Sequence, residues 1–268
     1  MADWLDELNL DFEGPSVAMS VRKLGDRPWL LTDEFMDEEL LLKQELSKDK
    51  TKEVFIASAN TEQAGDNVLS LIRKSGTQLT PINCVHPLHR AGLSVQEDLC
   101  LMQRTAEGWI LKAASLCFPS RWQLQEKVGR NLGHIHGPVE GYEEHLSKKV
   151  NSFFDRLGNE PVWRRNWFIH PDNSLYQPQR PPNGDPIIGF GEIGEKLFVR
   201  SERQTLQLLE IPGWILFTIR IQRTPLKNLL LKRKEEFQKW IFEAPKSHHD
   251  HKGLVIEQVA EIQKALVN

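Results

Sequence analysis

Cysteine is scarce and poorly spaced for chemistry. Cys84, Cys100 and Cys117 are the three in 268 residues, and no Cys-x-x-Cys pair occurs. That argues against a disulfide scaffold, a zinc site and a self-contained iron–sulfur cluster, and it fits a reducing, cytoplasmic setting. Long apolar runs are missing as well. None approaches the roughly 20 residues needed to cross a bilayer, so no membrane partner is expected. A basic excess is also lacking: Lys and Arg number 34 against 37 Asp and Glu, a formal net charge of -3. Proteins that track phosphates present a dominant basic surface, so nucleic acid is not an expected partner. The opening MADWLDELNLDFEG is acidic, unlike a secretory n-region or a transit peptide. No Gly-x-Ser-x-Gly elbow is present to anchor hydrolase chemistry.

What is present reads as an α+β chain. Residues 1–16 form an acidic lead of flexible character that runs through Gly14-Pro15, and residues 17–94 an N-terminal helical extension. In that extension, TDEFMDEELLLKQELSKD opens with a Thr-Asp cap and an acidic first turn. TEQAGDNVLSLIRKSG follows with a second helical pattern, and Gly76 is its stop. Residues 95–226 form the core. There, SVQEDLCLMQRTAEG and WILKAASLCF read as a hairpin, SRWQLQEKVG as a helix, and Tyr142 to Leu157 as an amphipathic helix with one apolar stripe. Three strands follow in PVWRRNWFI, EKLFVRSERQTLQLL and GWILFTIRIQ, giving an antiparallel sheet with helices packed on one face and a pocket between the layers. A C-terminal helical segment occupies residues 227–268.

Three attractive signals have plainer readings. GFGEIG at 189–194 matches a dinucleotide fingerprint, but a β-like stretch follows it instead of a helix, so a glycine-turned hairpin is expected. His248, His249 and His251 lie in a short polar tract that reads as a solvated loop. Cys100 and Cys117 sit in apolar runs and read as packing residues.

The runs VQEDLCLM, LCFPSRWQLQEKVGRNLGHIHGPVEGY, RRNWFI and RSERQTL…ILFTIRIQ, with VAMSVRKLG…WLLTDEF near the start, closely resemble the haem-dependent oxidative N-demethylase α-subunit family. The likeness spans about residues 17–226. It implies a haem-binding PAS-like fold and oxidation by O2 of a small secondary amine, dimethylamine. Electrons would come from a partner reductase that carries the flavin and the iron–sulfur centre, because this chain has neither motif. Where the family reads PVPGY, this chain has PVEGY, with Glu140 in place of proline.

For the haem iron, the donors between the second and third strands are His134, His136 and His145. His145 lies away from the apolar stripe of its helix. The recurrent family histidine follows Ile, which makes His136 the metal ligand implied by the resemblance, with His134 as the fallback. The plainer reading of both is that they cap or hydrogen-bond nearby loops. Trp122, Lys127 and Arg200 are expected around the cofactor, and Arg121 is another candidate for a propionate. Trp163 and Trp167 either border the haem or pack in the core. Strand alternation puts Arg164 and Asn166 on one face, with Arg165 and Trp167 on the other, and Arg200, Glu202 and Gln204 together on the next strand. Arg164 and Asn166 suit reduced oxygen, and Glu202 suits an ammonium; a cross-strand salt-bridge network is the plain reading of the same residues. A haem-based gas sensor or binding module is the alternative function, and a relative that holds no haem is a third.

Overall fold

The structure is a computed structural model that describes residues 2–14, 19–83, 86–136 and 147–267. Its centre is one sheet of seven strands. They are β1 (Arg22–Lys23), β2 (Phe55–Ala57), β3 (Asp98–Thr105), β4 (Gly108–Ser115), β5 (Val162–His170), β6 (Phe198–Leu208) and β7 (Trp214–Pro225). The spatial order is β1-β5-β6-β7-β3-β4-β2, and neighbouring strands are antiparallel. The hairpin and the three later strands expected from the sequence are β3 to β7. The two edge strands come from the segment read as a helical extension.

Local chemistry explains the turns. The β3–β4 hairpin closes on Gly108 at φ 103°, with the Thr105 hydroxyl donating to the Gly108 carbonyl at 2.9 Å. The β6–β7 turn uses Gly213 at φ 78°. Both conformations are ones that glycine adopts at little cost.

Side chains alternate across each strand, so the register assigns every residue to a face. Leu99, Leu101, Trp214 and Leu216 lie under the helices Glu62–Lys74 and Pro87–Gly92. On the same face farther along, Trp167, Ile169 and Val199 lie under Leu226–Glu243 and Ile256–Val267. Between these two apolar clusters, three arginines strap the N-terminal segment to the sheet. Arg165 pairs with Glu7 at 2.7 Å, Arg203 donates to the Pro28 carbonyl at 2.6 Å, and Arg220 pairs with Asp33 at 2.6 Å.

The opposite face carries Cys100, Met102, Leu206, Ile215, Ile219 and Ile221, packed with the helices Leu132–His136 and Ser147–Asp155. Helices therefore cover both faces, which corrects the one-sided sheet expected from the sequence. Three further expectations are corrected. The acidic lead is anchored, because Leu5, Leu8 and Leu10 are buried in the core. SRWQLQEKVG forms only a 3-10 turn at Leu124–Glu126. PKSHHDHKG is a helix, Lys246–His251, whose His248 and His249 are buried.

Candidate functional site

Along β5, residues 163, 165, 167 and 169 are buried, whereas Val162, Arg164, Asn166 and Phe168 are half-buried. The register sets Gln204 opposite Arg164 and Glu202 opposite Asn166, and continues to Ile219 and Ile221 on β7. This arrangement brings the three predicted catalytic residues, Arg164, Asn166 and Glu202, onto one partly open face. Gln204 joins them by donating from Nε2 to Glu202 Oε2 at 2.9 Å. Beside the polar row lies an apolar strip of Leu206, Ile219 and Ile221.

A residue overlooked in the sequence completes the cluster. Lys252 follows the helix Lys246–His251, and its Nζ donates to Asn166 Oδ1 at 3.0 Å while lying 4.9 Å from the centre of the Trp167 ring. Burial first, and the Arg164 charge second, pull its pKa down to about 7, against an opposing pull from Glu202. His251 is lowered to about 4 by burial, then by Lys252 and Arg164. Burial also lowers Arg164, with Glu202 acting in the opposite sense. The polar tract around the histidines was the signal for this corner, but its helical docking against the edge of β5, where the Ile169 amide donates to the Lys252 carbonyl at 2.9 Å, is a tertiary fact.

The imidazole candidates sit on the short helix Leu132–His136, which enters the same apolar cluster through Leu132 and Ile135. Asn131 precedes the helix and accepts at Oδ1 from the His134 amide at 3.1 Å, and Lys127 Nζ donates to the Ile135 carbonyl at 2.6 Å. His134 is exposed, with Nδ1 2.9 Å from Asn131 Oδ1. Two residues apart on a helix are about 200° apart, so positions 134 and 136 diverge. Position 136 stands on the side of the axis nearer to that of Leu132 and Ile135. The His136 side chain, Glu140, Tyr142 and His145 lie outside the described residues.

Of the other expected residues, Trp122 packs against the same apolar cluster as Leu132, and the arginines are already engaged. Arg200 is buried and donates to Ser120 Oγ at 2.9 Å and to the carbonyls of Phe118, Pro119, Ser174 and Leu175 at 3.0–3.1 Å. Arg121 is held by Asp185 at 2.6 Å. Trp122 is half-buried and lines a cavity of about 260 Å³ with Lys50, Glu53 and Tyr176. Trp163 and Trp167 lie on the opposite face with Arg165. GFGEIG leads into a helical turn at Ile193–Lys196, not the glycine-turned hairpin. Cys100 and Cys117 are buried, and burial pushes both thiols up, Cys117 to about 12.

An imidazole-bearing helix at β4, an apolar strip on β6 and β7 and a cationic end at β5 share one sheet face, and these are the donor classes that a porphyrin would use. Among the described residues no group of three or more His, Cys, Asp or Glu is gathered to hold a metal, whereas a haem iron needs only one axial imidazole. Among these residues no helix is long and apolar enough to cross a membrane.

Comparison with known families matches residues 62–260 to the haem-dependent oxidative N-demethylase, alpha subunit-like family. That span holds β3 to β7, both imidazoles and the whole polar cluster. No curated protein matches the chain.

Proposed function

Because this chain belongs to the haem-dependent oxidative N-demethylase, alpha subunit-like family, we propose that it is the haem-carrying subunit of a multi-subunit oxidative N-demethylase. Its fold is read as PAS-like, and its substrate as a small secondary amine of the dimethylamine type. The observation that carries this reading is the row of half-buried Arg164, Asn166 and Lys252 with buried Glu202, beside an apolar strip and on the sheet face packed by the helix Leu132–His136.

Haem, when bound, supplies the oxygen chemistry that releases an N-methyl group as formaldehyde. The chain's residues have separate tasks. His136 would hold the haem iron, and His134, already bonded to Asn131, would not. Glu202 receives the substrate ammonium, since a carboxylate in a half-dry setting favours a cation strongly. Arg164 and Asn166 donate to oxygen atoms that gain negative charge. Lys252, whose pKa is lowered to about 7, exchanges a proton at Nζ near neutral pH. The strip of Leu206, Ile219 and Ile221 excludes water from one side. With no cysteine set for a cluster in the chain, electrons come from a partner subunit that holds flavin and an iron–sulfur centre.

The test is haem titration of the purified chain, followed by reduction and exposure to oxygen with dimethylamine. His136→Ala should lose the Soret band of a ligated haem and formaldehyde release, and His134→Ala should keep both. An unchanged Soret band in His136→Ala would remove the ligand assignment. Reversible oxygen binding without formaldehyde would favour a gas sensor.

A further inference from the structure

The polar cluster holds more positive than negative charge. Arg164 and Lys252 face each other's fields, His251 stands beside them, and Glu202 is the carboxylate that acts on both cations among the described residues. Glu202 also accepts a hydrogen bond from Gln204. Arg164 Nε is a buried donor without a partner. Lys252 has three protons to donate and directs one to Asn166.

The other arginines of β5 to β7 are occupied. Arg165 has Glu7, Arg200 four main-chain carbonyls, Arg203 the Pro28 and Trp29 carbonyls, and Arg223 the Asn173 carbonyl. Arg220 also leaves a buried Nε without a partner, but its terminal nitrogens meet Asp33 and Glu39 at 2.6 and 2.8 Å. Among the arginines of β5 to β7, Arg164 is the one whose guanidinium has neither a carboxylate within salt-bridge distance nor a hydrogen bond to another described residue. Two cations kept close in a half-dry site repel each other and leave donors unsatisfied, a cost that an arriving anion removes.

We infer that Arg164 and Lys252 form a carboxylate-binding pair on this partly buried sheet face. Two carboxylates can reach it: that of an N-methyl amino acid taken as the substrate amine, and a propionate of the porphyrin. The first has a geometric attraction. Neighbouring strands are about 4.8 Å apart, so a molecule with its carboxylate on Arg164 and Lys252 and its ammonium on Glu202 spans one strand spacing. The inference deepens the proposed reading of the same site and rests on it for the identity of the ligand-binding face.

The test uses the full chain and two acid-against-ester comparisons. In the first, tryptophan fluorescence follows titration with N-methylglycine, its methyl ester and dimethylamine, since Trp167 lies beneath Lys252. The acid should bind at least tenfold more tightly than the ester. Arg164→Gln and Lys252→Met should abolish the difference, and Lys252→Arg should keep it. In the second, the haem-free chain is titrated with haem and with haem dimethyl ester. A tenfold preference for haem that Arg164→Gln removes assigns the pair to a propionate. Either preference supports the inference. If wild-type chain distinguishes acid from ester by less than twofold in both comparisons, the pair is refuted, however the variants behave. The two readings fail separately: a chain that takes up neither porphyrin yet prefers N-methylglycine keeps the carboxylate pair and loses the haem.

Discussion

Replacing Arg200 with methionine should destabilise the whole chain without a specific effect on haem. Its guanidinium joins two loops, residues 118–120 and 174–175, through one hydroxyl and four main-chain carbonyls, and it is 1% exposed. Methionine fills much of the same space but leaves these acceptors buried without a donor. Breaking a buried charged network of this type costs about 3–5 kcal/mol. For a chain of this size each kcal/mol lowers Tm by about 2–4 °C, so the expected fall is about 6–20 °C. Arg200→Lys keeps the charge but cannot span both loops, and should fall between the two. Circular dichroism melting gives Tm, and a haem titration of the folded fraction gives Kd. A Tm within about 3 °C of wild type, or a Kd raised tenfold in a fully folded variant, would refute the clamp and return Arg200 to the cofactor.

Lys252 predicts a stability window with a definite sign. Its pKa falls from the ordinary 10.5 to about 7 on folding, so the unfolded chain binds the extra proton between those values and ligand-free stability rises with pH across that range. Wild type should therefore gain on Lys252→Met between pH 7 and 10 in urea titrations; a flat difference would refute the shift. Gly92→Ala should cost about 1–3 kcal/mol through overpacking. The new Cβ would lie 2.2 Å from Ser115 Oγ and 2.5 Å from Ser115 Cβ, forcing the helix Pro87–Gly92 off β4; an unchanged urea midpoint would contradict that packing. Native protein at pH 8 should leave Cys100 and Cys117 unlabelled by iodoacetamide in peptide mass spectra, because both thiols are buried and protonated.

The five long strands were readable because their apolar alternation and glycine turns are local. The helix Glu62–Lys74 was readable for a similar reason, its buried Ala64, Val68, Leu69 and Ile72 forming one stripe. The edge strands β1 and β2 were not, since two or three residues carry no period and pair only once a neighbour is present. The helix expected at SRWQLQEKVG failed because Arg121 sits at φ 65°, outside the helical region, held there by Asp185 from a distant loop.

From the sequence by itself came the α+β class, the alternation that sets Arg164 with Asn166, and the family to which the chain belongs. All of these depend on the order of neighbouring residues. Only the tertiary structure decided that Arg200 is consumed by carbonyls, that the His248–His251 tract turns inward, and that Lys252 arrives beside Asn166 from 86 residues away. Charge and hydrogen-bond satisfaction depend on which groups meet in space, and a buried cation looks no different in the sequence from a solvated one.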